Sequence, residues 1–353
     1  MGKSYFYEVN SIDMIITKQI VDKYLNRRKT HNTTTKHELN LIRHIKQETM
    51  SRNLDNVSRT RSYGEFYERN KEIRWSFLAS MVSRNAGWNM TDLEGAWFPQ
   101  VLDKETRKTL FMTYEKANWL IFNDAYPQLL LYEFSKKLRA PLFYLLKEFA
   151  VSLFMEIQWE RFWELGNGDL LIISQIINEQ NVIQKPVIEH PIYKKKVFSS
   201  FVFRVQDWFH FSSVLFPTLS GELYGFSVHD FRKVTSRIEL GKRLAWLLFH
   251  KEYYNLFYRF SNKTEHTGSR YDYEQYFTTK KLRDTPYLRT TFPLIDHRVS
   301  KQNEWFHQGI NFVKWFGPIY QQQNFELTNW YRKKQRQLQL GISIEKLLKN
   351  EQG

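Results

Sequence analysis

Chemically useful side chains are most concentrated in the run RNAGWNMTD at residues 84–92, which follows an apolar helical pattern. This run places a guanidinium, two side-chain amides and a carboxylate around one indole ring. An indole can stack on a ligand ring while the amides and the carboxylate bind the polar edge of that ligand. We therefore predict that five side chains of the run bind a ligand: Arg84, Asn85, Trp88, Asn89 and Asp92.

The same run also fits a structural interpretation without a ligand. Gly87 would end one helix in a left-handed turn, and Trp88 would then lie in the core. Thr91 and Glu94 would form the capping box of the next helix. The sequence alone leaves both interpretations open.

A second candidate site is the loop HTGSR at residues 266–270. Backbone amides around Gly268, the hydroxyl of Ser269 and the guanidinium of Arg270 suit a phosphate or a carboxylate. His266 is a candidate for proton transfer in the same loop. The alternative is a plain turn, and no Gly-Lys-Ser or Gly-Lys-Thr follows a glycine-rich loop as a P-loop requires.

A third candidate is the polar run NEQN at residues 178–181, which interrupts an otherwise apolar helix. Four successive polar residues fit poorly on a buried helix unless they are hydrogen-bonded. A buried carboxylate at Glu179 would have a raised pKa and could act as a general acid or base. The alternative is a helix end that returns to solvent before Pro186.

Glu156, Glu160 and Glu164 are spaced four residues apart and therefore share one helix face. Carboxylates in this arrangement could bind a divalent cation or form a glycosidase pair. Metal-binding helices usually add a Glu-x-x-His pattern, and none of these three glutamates begins one. We therefore predict a solvated helix face and no metal site, and the sequence identifies no cofactor.

The elements that must position these residues are helices, because the helical period dominates the chain. Over residues 72–85, for example, Ile73, Phe77 and Met81 recur every four residues. Similar patterns predict helices over residues 12–28, 103–123, 127–138, 142–164, 197–213 and 325–349. No two-residue Asn-Gly or Asp-Gly turn separates alternating apolar runs, so no tight hairpin is predicted.

Three capping boxes predict further helix starts. In each, a hydroxyl residue is followed by a glutamate three positions later. They are Thr35 with Glu38, Ser62 with Glu65, and Ser236 with Glu239.

We predict an all-α fold, consisting of a single large irregular helical domain with an extension at each end. Residues 1–50 would form a basic N-terminal helical extension, and residues 51–282 the main helical domain. Residues 283–353 would form a loop and a basic C-terminal helical arm. The boundaries follow turn-rich stretches at residues 31–35 and 283–298.

The chain has 52 Lys and Arg residues against 37 Asp and Glu residues, a net charge of +15. This basic excess indicates nucleic acid or an anionic membrane surface as partners. Its local clusters lie at residues 27–29, 194–196 and 332–336. The alternative is solvated surface, since no RNA-binding or zinc-finger motif accompanies the clusters.

The sequence also restricts chemistry and location. No cysteine is present, which excludes disulfides, Cys-ligated zinc, iron–sulfur clusters and a thiolate nucleophile. The first 18 residues lack the apolar core of a signal peptide, and charges interrupt residues 141–159 before they reach the roughly 18 apolar residues of a spanning helix. We predict a cytoplasmic protein without an integral membrane segment, and attachment to a membrane surface stays open.

Several longer strings of the sequence form one recognisable set. They are RTR at residues 59–61, EIRW at 72–75, LASMVSRNAGWNMTDL at 78–93, NWLIF at 118–122, DAYPQLLLYE at 124–133, INEQ at 177–180, YG at 224–225, RIELG at 237–241 and HTGSR at 266–270. Together they resemble the YppC-like proteins, an uncharacterised family of Bacillus-type bacteria, over about residues 55–275. The resemblance implies a cytosolic protein of a Gram-positive bacterium, and it implies no activity.

Two hypotheses for function follow. In the first, a polar, aromatic-lined pocket binds an anionic small molecule and could also act on it. Trp88 would stack on the ligand, Arg270 would bind the anion, and Glu179 or His266 would transfer a proton. In the second, a non-enzymatic adaptor uses its basic ends on nucleic acid or on the anionic inner face of the membrane.

The arrangement of the candidate side chains discriminates between the two hypotheses. Convergence of Arg84, Asn89, Asp92, Glu179 and Arg270 would favour a binding pocket. Scattered candidates, with the basic clusters on one face, would favour the adaptor. The sequence leaves open whether the protein is an enzyme and what its oligomeric state is.

Overall fold

The structure is a computed structural model, and it describes residues 18–30, 34–191, 213–227, 230–277, 282–297, 304–307, 310–318 and 324–350. The predicted helix over residues 197–213, apart from Ser213, and the basic cluster at residues 194–196 lie outside the described residues. The fold is 68% helical, and its described part contains one two-stranded sheet. The prediction of a helical fold is confirmed.

The first half of the chain is a series of helices that pack side by side. Helix α1 spans Lys18–Thr30, α2 Lys36–Arg52, α3 Asn56–Arg69 and α4 Arg74–Asp92. Helix α5 spans Lys104–Leu138, α6 Leu153–Leu165 and α7 Gly168–Val182. Short 3₁₀ helices cover Phe98–Gln100 and Phe143–Phe149, and a π-helical turn, Gln184–Ile188, follows α7.

The second half adds a β-hairpin and shorter helices. Strand β1, Ser213–Pro217, pairs with the antiparallel strand β2, Leu223–Ser227. Helix α8 spans Val234–Leu248, α9 Tyr254–Lys263, α10 Tyr271–Glu274 and α11 Leu288–Thr291. A 3₁₀ helix covers Val313–Phe316, and the last helix, α12, spans Thr328–Asn350.

The hairpin is an element that the sequence patterns did not predict. Its register pairs Ser213 with Ser227 and Pro217 with Leu223. Residues 218–222 connect the strands, and Gly221 in this connection has a φ of 87°, which favours glycine. Because the connection is long, it lacks the two-residue signature that the sequence was searched for.

Helix α4 continues through Gly87, where the sequence predicted a left-handed helix end. Thr91 therefore lies inside α4 and does not begin a new helix. A Cβ atom on Gly87 would lie 2.3 Å from Asn56 Oδ1 and 2.8 Å from His266 Nε2. The glycine is required for close packing and not for a turn.

We expect Gly87→Ala to lower the free energy of unfolding by about 1–3 kcal/mol, because the added atom overpacks a buried contact. Gly64→Ala is a matched control: Gly64 also lies inside a helix, and a Cβ there would meet only Ser80 Oγ at 3.5 Å. The control should be neutral or stabilising by up to about 1 kcal/mol. Urea-induced unfolding measures both variants, and equal stabilities would contradict the tight contact at Gly87.

Helix α5 is a single helix of 35 residues, although the sequence predicted two helices that separate before Pro127. At its start, the Asp103 side chain accepts a hydrogen bond from the backbone amide of Thr106 at 2.8 Å. At its end, Arg139 adopts a left-handed conformation. Pro127 is buried inside this helix, and α4, α7 and a 3₁₀ helix pack against α5 and stabilise it despite the hydrogen bond that a proline removes.

One of the three predicted capping boxes is confirmed. Thr35 and Glu38 exchange hydrogen bonds at the start of α2. Ser62 and Glu65 do not form a box, because both lie inside α3, which Asp55 caps. Ser236 and Glu239 do not form one either, because α8 already begins at residue 234. Glu239 instead accepts a hydrogen bond from the buried Lys242 ammonium at 2.6 Å.

The basic N-terminal helix α1 turns two arginines toward the protein. Arg27 donates to Glu160 at 3.0 Å, and Arg28 donates to Glu156 at 2.6 Å. Both glutamates belong to α6 and are buried. The prediction of a solvated face is therefore wrong for Glu156 and Glu160, which α1 covers and pairs with arginines, whereas Glu164 is exposed as predicted.

The C-terminal helix α12 is amphipathic over its described side chains. Tyr331, Gln335 and Leu338 are buried against the body of the protein. The basic side chains Arg332, Lys333 and Arg336 are exposed.

Candidate functional site

Five of the predicted ligand-binding side chains meet around one small cavity. Asn85, Trp88, Asn89 and Asp92 extend from α4, and Arg270 lies beside them at the start of α10. The cavity has a volume of about 10 Å³, which holds about one water molecule. The five side chains converge, but they leave no room for a small-molecule ligand.

The Arg270 guanidinium at this cavity is surrounded by carboxylates. Its Nε donates to Asp92 at 2.7 Å, its Nη1 to Glu274 at 3.0 Å and its Nη2 to Asp284 at 3.2 Å. Burial raises the pKa of Asp92 to about 6, although Arg270 opposes the shift. Because its donors are engaged by acids, we do not include Arg270 in an anion-binding site.

Trp88 and Asn85 also have partners within the protein. The Trp88 indole donates to Asp272 at 3.0 Å and packs edge-on against Tyr273. The Asn85 amide exchanges hydrogen bonds of 2.7 Å with both backbone groups of Leu215, as a neighbouring strand would. These contacts hold the hairpin against α4.

His266 and Ser269 are buried in the loop that precedes α10. His266 Nε2 lies 2.8 Å from Asn56 Oδ1, and Nδ1 lies 3.2 Å from Asp272 Oδ2. Burial lowers the pKa of His266, while the hydrogen bond with Asp272 opposes that shift. The Ser269 hydroxyl bonds both the carbonyl and the hydroxyl of Thr285.

Arg84 lies instead on a cleft of about 550 Å³ between α3, α4 and the end of α9. We call this the Arg84 cleft; its lining includes Tyr67, Phe77, Ser80, Arg84, Thr264 and His266. The Arg84 guanidinium is buried and donates to the carbonyls of Thr264 at 2.9 Å and Ser261 at 2.8 Å. Its Nε–H has no hydrogen-bond partner among the described residues. Burial lowers the pKa of Arg84 to about 10.

Glu179 lies apart from the small cavity and from the Arg84 cleft. Its carboxylate accepts hydrogen bonds from the Trp75 indole and the Gln180 amide, each at 3.0 Å. Burial raises the pKa of Glu179 to about 7, and the two hydrogen bonds oppose the shift. The proposed part of Glu179 in proton transfer stays a prediction.

A second cavity, which the sequence analysis missed, lies between α5 and α7 and has a volume of about 450 Å³. Its buried acid is Asp124, in the middle of α5. The signal that could have found it is the pair Asp124 and Gln128, four residues apart in the largely apolar stretch at residues 119–132.

The sequence matches a protein family whose function is unknown. A family profile with the description "Protein of unknown function (DUF2515)" matches residues 51–332. The chain belongs to this family. The uncharacterized protein YppC of Bacillus subtilis (strain 168) is 47% identical over 310 residues, which cover 88% of this chain and 96% of YppC. No solved structure matches the chain.

The DUF2515 region contains every predicted site residue, and the resemblance to YppC-like proteins is confirmed. Within the described part of this DUF2515 protein, no three His, Asp or Glu side chains are grouped as they would be around a metal ion. No described helix combines the length and the apolar character that crossing a membrane requires. The family description names no ligand or reaction, so function must be argued from the clefts.

Proposed function

We propose that the protein binds a small anionic ligand in the Arg84 cleft. The observation that supports this function is a buried guanidinium without a carboxylate partner among the described residues. Burying a charge without a counter-charge costs free energy, and the lowered pKa of Arg84 reflects that cost. A bound anion would supply the counter-charge and accept the Nε–H hydrogen bond.

The contrast with Arg270 strengthens the proposal. Both arginines are buried, but Arg270 contacts three carboxylates, whereas the hydrogen bonds of Arg84 go to backbone carbonyls and its guanidinium lies over the Phe260 ring. The acid that acts on Arg84 through space is Asp272, which already accepts hydrogen bonds from Trp88 and Thr267. Unlike Arg270, Arg84 therefore remains able to bind a ligand.

The charges around the cleft indicate the size of the anion. Arg61 and Arg289 are paired with acidic neighbours at 3.1 and 2.7 Å, and Lys263 has no ion pair among the described residues. Three acids, Glu65, Glu68 and Glu265, also line the cleft. This mixed lining favours a compact anion that reaches the buried Arg84 over an extended polyanion.

His266 lines the same cleft beside Arg84. Both of its ring nitrogens lie within hydrogen-bond distance of buried partners, Asn56 and Asp272. An imidazole held in this way is more suited to shaping the cleft than to exchanging protons with a ligand. We therefore propose binding, and catalysis by His266 stays a prediction.

We expect Arg84→Met to weaken binding of inorganic phosphate or sulfate at least tenfold. A hydrogen bond to a charged group contributes about 1.5–3 kcal/mol, and 1.4 kcal/mol corresponds to a factor of ten. Calorimetric titration at constant ionic strength, with chloride as the balancing anion, measures the effect. Arg84→Lys should retain part of the affinity, because it keeps the charge without the forked donors.

Arg43→Met is the matched control, because Arg43 is an exposed arginine of α2 that does not line the cleft. It should bind phosphate as the unmodified protein does. Unchanged affinity in Arg84→Met would contradict the proposal. The proposal would also be contradicted if the unmodified protein bound none of phosphate, sulfate and citrate above a chloride background.

The adaptor hypothesis has less support among the described residues. Arg27 and Arg28 are engaged with buried glutamates, and the cluster at residues 194–196 lies outside the described residues. Exposed cations remain on α12. Binding to nucleic acid or an anionic membrane surface therefore stays a prediction, as does the cytoplasmic location.

A further inference from the structure

The second cavity is lined by α5, the end of α7, the π-helical turn and the segments at residues 304–307 and 310–318. Its lining includes the indoles of Trp119 and Trp305. Asp124 lies at the same surface and is only 2% exposed. The orientation of the amides around Asp124 decides which of its oxygens is available.

The Gln128 side chain is oriented by an indole. Trp159 Nε1 lies 2.9 Å from Gln128 Oε1. Because an indole nitrogen can only donate, this atom of Gln128 must be the carbonyl oxygen. The amide nitrogen of Gln128 therefore points to Asp124 Oδ2, at 2.7 Å.

The Asn178 side chain is oriented in the same way from the other side. Trp305 Nε1 donates to Asn178 Oδ1 at 2.8 Å, and the Ser152 hydroxyl adds a bond of 2.9 Å to the same oxygen. The amide nitrogen of Asn178 therefore also donates to Asp124 Oδ2, at 2.6 Å. Two indoles, acting through two amides, fix Asp124 Oδ2 as an acceptor.

The other oxygen of Asp124, Oδ1, has no hydrogen-bond partner among the described residues, and no described cation forms an ion pair with this carboxylate. Asp124 is thus, like Arg84 but with the opposite charge, a buried ionisable group without a counter-ion among the described residues. A buried carboxylate that is oriented but not neutralised is costly unless a ligand or a proton compensates it.

The side chains that line the cavity include more acids than bases, whereas the protein as a whole is basic. Asp124, Glu189 and Glu304 line it, against one lysine, Lys185, and the imidazole of His307. Glu304 is already bonded by the backbone amides of residues 153 and 306. In a chain of net charge +15, a cavity with more acids than bases selects for cations.

We propose that this cavity binds a small organic cation, with an ammonium or guanidinium group bonded to Asp124 Oδ1 and an apolar part against Trp119 and Trp305. Aromatic walls beside a carboxylate are the usual surroundings of such ligands. The site is separate from the Arg84 cleft, so this proposal does not depend on anion binding there.

Binding at this site should be linked to protonation. Burial raises the pKa of Asp124 to about 7, Glu304 adds to the shift, and the hydrogen bonds from Asn178 and Gln128 oppose it. A cation binds the ionised form, so its affinity should rise as the pH rises through about 7, and binding should release a proton near neutral pH. Glu189, Lys185 and His307 also line the cavity, and the Arg28 guanidinium lies 3.6 Å from Glu304 Oε2.

Benzylamine and benzyl alcohol form a matched pair of probes, because they have similar shape and differ in charge. Calorimetric titration of the full chain should show that benzylamine binds and that benzyl alcohol binds at least tenfold more weakly. The affinity for benzylamine should be several-fold higher at pH 8 than at pH 6. Titrations in buffers of different ionisation enthalpy should detect the released proton.

Asp124→Asn should reduce benzylamine affinity at least tenfold and remove the pH dependence. The substitution keeps an acceptor for the amides of Gln128 and Asn178, so the fold should persist, and circular dichroism checks this. Glu252→Gln is the control, because Glu252 is exposed and lines neither cleft. It should bind as the unmodified protein does.

Three results would overturn the proposal. One is equal affinity for benzylamine and benzyl alcohol, which would indicate an apolar cavity only. Another is benzylamine binding that Asp124→Asn leaves intact. The last is an affinity for benzylamine that does not change between pH 6 and pH 8. This measurement uses the unmodified protein, so it tests the proposal even if the variant does not fold.

Discussion

Arg270→Met is expected to lower the free energy of unfolding by about 3–5 kcal/mol, because it leaves buried carboxylates without their cation. Methionine retains much of the apolar volume of the side chain, so the loss reports on charge more than on packing. Asp92, Glu274 and Asp284 would then face one another at the centre of the protein. Urea-induced unfolding at neutral pH measures the effect.

The pH dependence of Arg270→Met discriminates this mechanism from a simple packing defect. Burial raises the pKa of Asp92 to about 6, and loss of the arginine removes a charge that opposes this shift, so the pKa of Asp92 in the folded variant should lie further above its unfolded value. The folded variant then binds more protons than its unfolded state does, so its stability falls as the pH rises. The difference in unfolding free energy between the variant and the unmodified protein should therefore shrink on going from about pH 7.5 to about pH 5.5.

Arg69→Met is the control for Arg270→Met. Arg69 is half exposed and pairs with Glu133 at 2.9 Å, so its loss should cost at most about 1 kcal/mol. A loss in Arg270→Met no larger than in this control would contradict the central part assigned to Arg270. A loss of stability in Arg270→Met that does not change with pH would also contradict it.

Arg59→Met is expected to cause the second large loss, also about 3–5 kcal/mol. The Arg59 guanidinium of α3 donates to both carboxylate oxygens of Glu115 in α5, and its Nε donates to Asn53 at 2.7 Å. The side chains of Arg59 and Glu115 are 1% and 5% exposed. Burial opposes ionisation of Glu115, but His297 and Arg59 hold its pKa below its usual value.

A double-mutant cycle isolates this pair. Arg59→Met with Glu115→Leu should lose less stability than the sum of the two single variants, because the double variant buries no uncompensated charge. Since the pKa of Glu115 is depressed in the folded state, the coupling should be present at neutral pH and be lost as the pH falls through that value. Additive losses at neutral pH would contradict the ion pair.

The helices were predictable from the sequence because their signals are local. The period of apolar residues and the capping box at Thr35 are set within a few neighbouring positions. The prediction of a helix end at Gly87 was wrong, and this affected the predicted directions of the site residues. A continuous α4 places Asn85, Asn89 and Asp92 on one face, whereas the predicted loop would have left their directions undefined.

The partners of the candidate side chains were not predictable, because they come from distant segments. Arg270 meets Asp92 from α4 and the Tyr331 hydroxyl from α12. No pattern within the loop HTGSR indicates that its arginine is already neutralised. Arg84 is uncompensated for the same reason: the end of α9 offers it carbonyls and no acid.

Pro127 affects the main chain of α5 near Asp124. Proline has no amide hydrogen, so the carbonyl of Asn123 lacks the donor that helix geometry would place four residues later. Asn123 lines the same cavity as Asp124. One imino acid therefore leaves a peptide oxygen without its helical donor beside the buried carboxylate, near the middle of the 35-residue helix.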